Sequence, residues 1–152
     1  MSFRLRKDAR TWFKHLRPSQ LALDFDIYYF CVMAGLATNR KVEVRTEETA
    51  DLVDNFPEAY REKGRVLTAL FLSRELRALS INLSERKAVH GAIHLLIDPL
   101  SPSHLSDRGM REFNKYAAGG YETLVEWFED QPRVLSTFLQ LYKRRLDVAL
   151  NQ

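Results

Sequence analysis

Only one cysteine, Cys31, occurs in the 152 residues. An intrachain disulfide needs two, and the usual zinc spacings need further Cys or His partners, so neither is available and a reducing, cytoplasmic setting is expected. No stretch approaches the roughly 18 to 20 consecutive apolar residues that cross a bilayer, the longest candidate being broken by Asp24, Asp26, Asn39 and Arg40. No membrane association is expected. The opening Met1-Ser2-Phe3-Arg4-Leu5-Arg6-Lys7 is basic but leads into mixed polar and aromatic residues, so it reads as no export signal. There is no internal repeat, low-complexity tract or sustained heptad. A Gly-rich phosphate loop is missing too, because Gly119-Gly120 lacks both the upstream glycine and a following Lys-Ser or Lys-Thr. No glycine-framed serine elbow appears, and Cys31 lies in an apolar run where thiols are inert. No catalytic residue and no cofactor are therefore expected.

What is present is a globular mixture, 45% apolar and 28% charged, sized for one domain over residues 1–152. Helical periodicity dominates and predicts an all-α bundle of about six or seven helices. Ala9, Trp12, Phe13 and Leu16 form the stripe of a basic amphipathic helix at about residues 8–17, closed by Pro18. The run from Phe25 to Ala37 is apolar nearly all round and predicts a central helix. Val42-Glu43-Val44-Arg45-Thr46 is the one strand-like alternation, or else an extended loop. Helical spacing then covers residues 58–79, with Gly64 as the interior weak point, and resumes after Ser84-Glu85 until Asp98-Pro99. Ser106 or Asp107 caps the next helix, in which Gly119-Gly120 permits a break or a close crossing of two backbones. Pro132 suits the first position of a last helix bearing Leu135, Phe138, Leu139, Tyr142 and Leu146.

Charge is unevenly laid out. Residues 1–20 hold Arg4, Arg6, Lys7, Arg10, Lys14 and Arg17 against Asp8 alone, a net +5, whereas residues 21–60 carry a net −5. These six cations are the candidate nucleic-acid contacts, since Lys and Arg grip a phosphate backbone without reading bases. Docking on the acidic neighbour is the competing use. Tyr28, Tyr29 and Phe30 are consecutive and cannot all point into one core, and Trp127 is adjacent to Phe128, so Tyr28, Tyr29 and Trp127 are candidate partner contacts. His90 and His94 share a helix face, with His104 close by in sequence, but Gly91 stands where a zinc hydrolase motif needs Glu, so no metal site is expected.

The stretches Phe3-Arg4-Leu5-Arg6-Lys7-Asp8-Ala9, Asp26-Ile27-Tyr28-Tyr29-Phe30 through Gly35-Leu36-Ala37, and Asn114-Lys115-Tyr116-Ala117-Ala118-Gly119-Gly120-Tyr121 resemble small helical accessory proteins of bacterial anti-phage systems of the Dnd type, which handle phosphorothioate-modified DNA. The resemblance implies a non-catalytic subunit working with a larger ATPase or nuclease on DNA. Two alternatives come from other classes: a small metal-dependent hydrolase using His90 and His94, and a homodimeric DNA-binding regulator.

Overall fold

The computed structural model describes residues 1–152. The protein is all-α, with six helices and one two-stranded ribbon: β1 (Arg4–Arg6), α1 (Lys7–Trp12), α2 (Asp24–Thr38), β2 (Thr49–Asp51), α3 (Arg61–Ala78), α4 (Arg86–Leu96), α5 (Asp107–Trp127) and α6 (Leu135–Leu150). The chain forms two compact units, one of residues 1–3 with 53–113, the other of residues 4–52 with 114–152.

The second unit is built around α2. Its apolar run buries residues on every side, among them Phe25, Ile27, Tyr28, Cys31, Val32 and Leu36. The helix starts where the Asp26 carboxylate accepts the Leu23 N–H at 2.9 Å, and stops where Asn39 takes a left-handed conformation at φ 54°. The crossing of α2 with α5 is one of backbones. A side chain at Gly120 would strike the Cys31 carbonyl, one at Gly35 the Tyr116 carbonyl, and one at Gly119 the carbonyl of Arg40. Of the two outcomes expected for Gly119-Gly120, the close crossing is realised, and α5 runs through it unbroken.

Ala9, Trp12, Phe13 and Leu16 are all buried, but the helix that carries the stripe is shorter than the residues 8–17 expected. Beyond Trp12 the bonds tighten to three-residue turns, Lys14 N–H to Thr11 O and Leu16 N–H to Phe13 O. Trp12 and Phe13 meet Phe138 of α6 edge to face, with ring centroids 6.5 and 5.4 Å apart, and the Tyr142 hydroxyl donates to the Phe30 carbonyl at 3.0 Å. α6 begins at Leu135 and not at Pro132, because Val134 is extended; the Leu135 N–H is then satisfied by the Gln20 side chain at 2.8 Å. Residues 42–45 are not a strand. The Val42 N–H bonds to the Lys115 carbonyl of α5, which leaves the strand role to residues 49–51. These pair antiparallel with β1, Leu5 opposite Ala50, and Leu5 is buried while the flanking arginines turn outward.

The first unit packs α3, α4 and the start of α5 around Phe3, Phe56, Phe71 and Phe113, with centroids 4.8 Å (Phe3–Phe56) and 5.3 Å (Phe71–Phe113) apart. Gly64 does not break α3; a Cβ there would lie 2.8 Å from the Phe56 ring, so the glycine makes room for that ring. Ser106 is the cap of α5, its hydroxyl oxygen accepting the Gly109 N–H at 3.0 Å.

Candidate nucleic-acid and partner surfaces

The basic opening segment is folded onto carboxylates. Arg4 pairs with Asp51 across the ribbon and donates through Nε to Thr49 Oγ1 at 2.7 Å. Arg6 grips Asp8 with two bonds, of 2.9 and 2.7 Å, and its guanidinium lies 5.0 Å from the Tyr121 ring centroid. Arg10 and Arg17 share Asp24, at 2.9 and 3.0 Å. Docking on acidic neighbours thus occupies four of the six cations expected to meet phosphate. The other two, Lys7 and Lys14, are exposed and unpaired. Asp51 and Asp24, which answer Arg4, Arg10 and Arg17, come from the acidic stretch of residues 21–60, so the sequence dipole is partly closed within one unit.

Of the aromatic candidates, Tyr28 is a correction. It is fully buried and its hydroxyl donates to Asn114 Oδ1 at 2.8 Å, so the ring belongs to the core and not to a docking surface; burial pushes its phenol well above the ordinary value. One helix step further round, Tyr29 is half-buried. Trp127 is half-buried as well, edge to face with Tyr142 at 6.3 Å. Both rings leave part of their area on the surface.

His90 and His94 are exposed on α4 and His104 is exposed in the following loop. No three His, Cys, Asp or Glu side chains come together in a group able to hold a metal ion. Cys31 is buried, and burial pushes its thiol far up from the ordinary range, which disfavours the thiolate that nucleophilic chemistry needs. No helix is long and apolar enough to cross a membrane.

Among the other places with unpaired cations that charge counting by segment did not single out, two bear on binding. One is α6, where Lys143, Arg144 and Arg145 are exposed and without carboxylate partners. The other is α3, where Arg61 and Arg65 line a cleft. The signal available for the second was the four-residue spacing of two arginines near a helix start. Comparison with protein-family models, with curated proteins and with solved structures finds no match to the chain.

Proposed function

We propose that this chain is a non-catalytic accessory subunit of a prokaryotic anti-phage defence complex, acting in the cytoplasm, where it holds a larger ATPase or nuclease subunit and touches DNA. The carrying observation is the set of exposed cations in the second unit that no internal carboxylate uses: Lys7, Lys14, Arg133, Lys143, Arg144 and Arg145. A surface cation without an internal partner gains by meeting a phosphate and releasing its counterion, whereas Arg4, Arg6, Arg10 and Arg17 would first give up their own pairs. Such exposed pairs are each worth only about 0–1 kcal/mol, so the arginines remain recruitable at small cost. Tyr29 and Trp127 supply the aromatic area for the protein partner.

The test is an affinity pull-down of the tagged chain from its native cells, with and without nuclease treatment. A nuclease-resistant ATPase or nuclease is the expected companion, and recovery of the chain with no larger protein would reject the adaptor role. For DNA, Lys7→Glu with Lys14→Glu leaves all four arginine pairs intact. The double variant is expected to weaken DNA retention by the complex and lower its salt dependence by about two phosphate contacts. Retention unchanged at every salt concentration removes DNA from the proposal.

A further inference from the structure

The first unit contains a cleft of about 560 Å³ between the start of α3 and the loop that follows α4. That is within the range of sites that hold small ligands, about 300–1,000 Å³. Its polar lining comes from Arg61, Arg65, Asn55 and His104, its apolar lining from Phe56 and Leu72.

The two arginines are the informative part. They are one helical turn apart on one face of α3, and both are exposed and without a carboxylate partner. Like charges at this spacing repel, and Arg61 stands in the first turn of the helix, where the dipole already disfavours a cation. Both placements cost stability, and although Glu58 and Glu62 are near in sequence neither arginine forms an ion pair, in contrast to Arg10 and Arg17, which share Asp24. An anion between the guanidiniums removes the repulsion and satisfies the dipole at once. Opposite them, His104 holds a left-handed backbone at φ 65°, uncommon for a residue other than glycine, and its carbonyl is tied to the Asp98 N–H at 2.9 Å. At the floor, the Phe56 ring lies against Gly64, where any side chain would displace it.

We propose that this cleft binds a phosphate-bearing nucleotide, the phosphate held by Arg61 and Arg65 and the rest of the molecule lying along Phe56 and Leu72. The planar guanidinium fork suits phosphate oxygens, and two of them suit one phosphate group better than a carboxylate. Asn55 and His104 add hydrogen-bonding groups at the rim. The nucleotide is either free in solution or the phosphorylated end of a nucleic-acid strand; the chemistry that the cleft reads is the same. This site belongs to the first unit, and Lys7 and Lys14 to the second, and it does not rest on the accessory role.

Calorimetric titration of the full chain with AMP, ADP and inorganic phosphate, and with a short oligonucleotide bearing either a 5′-phosphate or a 5′-hydroxyl, tests it. The expected result is saturable one-to-one binding of AMP or ADP, displaced by inorganic phosphate. Arg61→Gln with Arg65→Gln weakens it at least about tenfold. The same double variant keeps or raises the melting temperature of the free protein, since it relieves repulsion. Arg86→Gln with Lys87→Gln, on the exposed face of α4 and outside the cleft, changes the net charge equally and leaves binding intact. If only the 5′-phosphorylated oligonucleotide binds, in a manner dependent on Arg61 and Arg65, the site reads strand ends. Absence of saturable binding by every probe, or equal weakening by the Arg86 and Lys87 substitutions, overturns the proposal.

Discussion

At the scale of single residues, Asn114 ties separate parts of the second unit together. Its Oδ1 accepts the Tyr28 hydroxyl at 2.8 Å and the Arg4 backbone N–H at 3.0 Å, tying a buried ring of α2 and the ribbon to one position on α5. Removing that oxygen takes an acceptor from two donors, one on a fully buried side chain. Asn114→Ala is therefore expected to cost about 2–4 kcal/mol in urea unfolding, and Tyr28→Phe, which removes donor and demand together, only about 1 kcal/mol. Equal costs for the two would show that the shared acceptor has no special weight. Nothing local in the sequence marked Asn114 for this, because both partners lie far away along the chain. The burial of Tyr28 departs from the sequence expectation for a related reason. Adjacency to Tyr29 and Phe30 shows that one ring of three must face away from the others, but not which one, and the position of the polar acceptor decides it.

At the scale of elements, helices were legible wherever an apolar stripe had the helical period, and their ends were legible only where a local cap or proline set them. α2 and α5 follow from their own residues. The start of α6 does not, since the group that satisfies its first N–H is Gln20, more than a hundred residues earlier. The ribbon escaped notice because three residues such as Arg4-Leu5-Arg6 show no usable alternation by themselves, and the better alternation at residues 42–46 is spent on a bond to α5. The glycine pair was readable as two outcomes, and packing against α2 selects one. Gly120→Ala tests that crossing directly. Its new methyl group would land on the Cys31 carbonyl, so the two helices must separate; a loss of about 3 kcal/mol or more is expected, larger than the ordinary range for overpacking because the obstacle is backbone. Gly91, whose added Cβ meets nothing, is the control, and Gly91→Ala on the exposed side of α4 is expected to be neutral or stabilising by up to about 1 kcal/mol.

At the scale of the whole molecule, helical periodicity along the chain indicates the all-α class but not how its charges are spent, because pairing of Arg4 with Asp51 or of Arg17 with Asp24 depends on tertiary neighbours. The same holds for its titration. Burial raises the Tyr28 and Tyr142 phenols and the Cys31 thiol above their ordinary values of 10.0 and 9.0. In the folded state these groups keep protons that the unfolded chain releases, so their contribution to stability is complete below those ordinary values and is lost as pH rises past them. Stability should fall above about pH 9, with a slope of up to about 1.4 kcal/mol per pH unit for each group that the unfolded chain has ionised. Urea midpoints measured between about pH 8 and about pH 11 check this, and a flat profile would contradict the assignment of these three groups to the interior.

The ribbon also bears on how the chain is made. Residue 4 is synthesised before either of its partners: its side chain awaits Asp51, and its backbone N–H awaits Asn114, 110 positions later. On a ribosome the opening segment emerges long before either partner, with Phe3 and Leu5 still in water, and loop closure over such a span is slow. Arg4, Arg6 and Lys7 lie among those apolar residues, and charge of one sign favours solubility while the segment waits; folding then pairs Arg4 with Asp51 and Arg6 with Asp8.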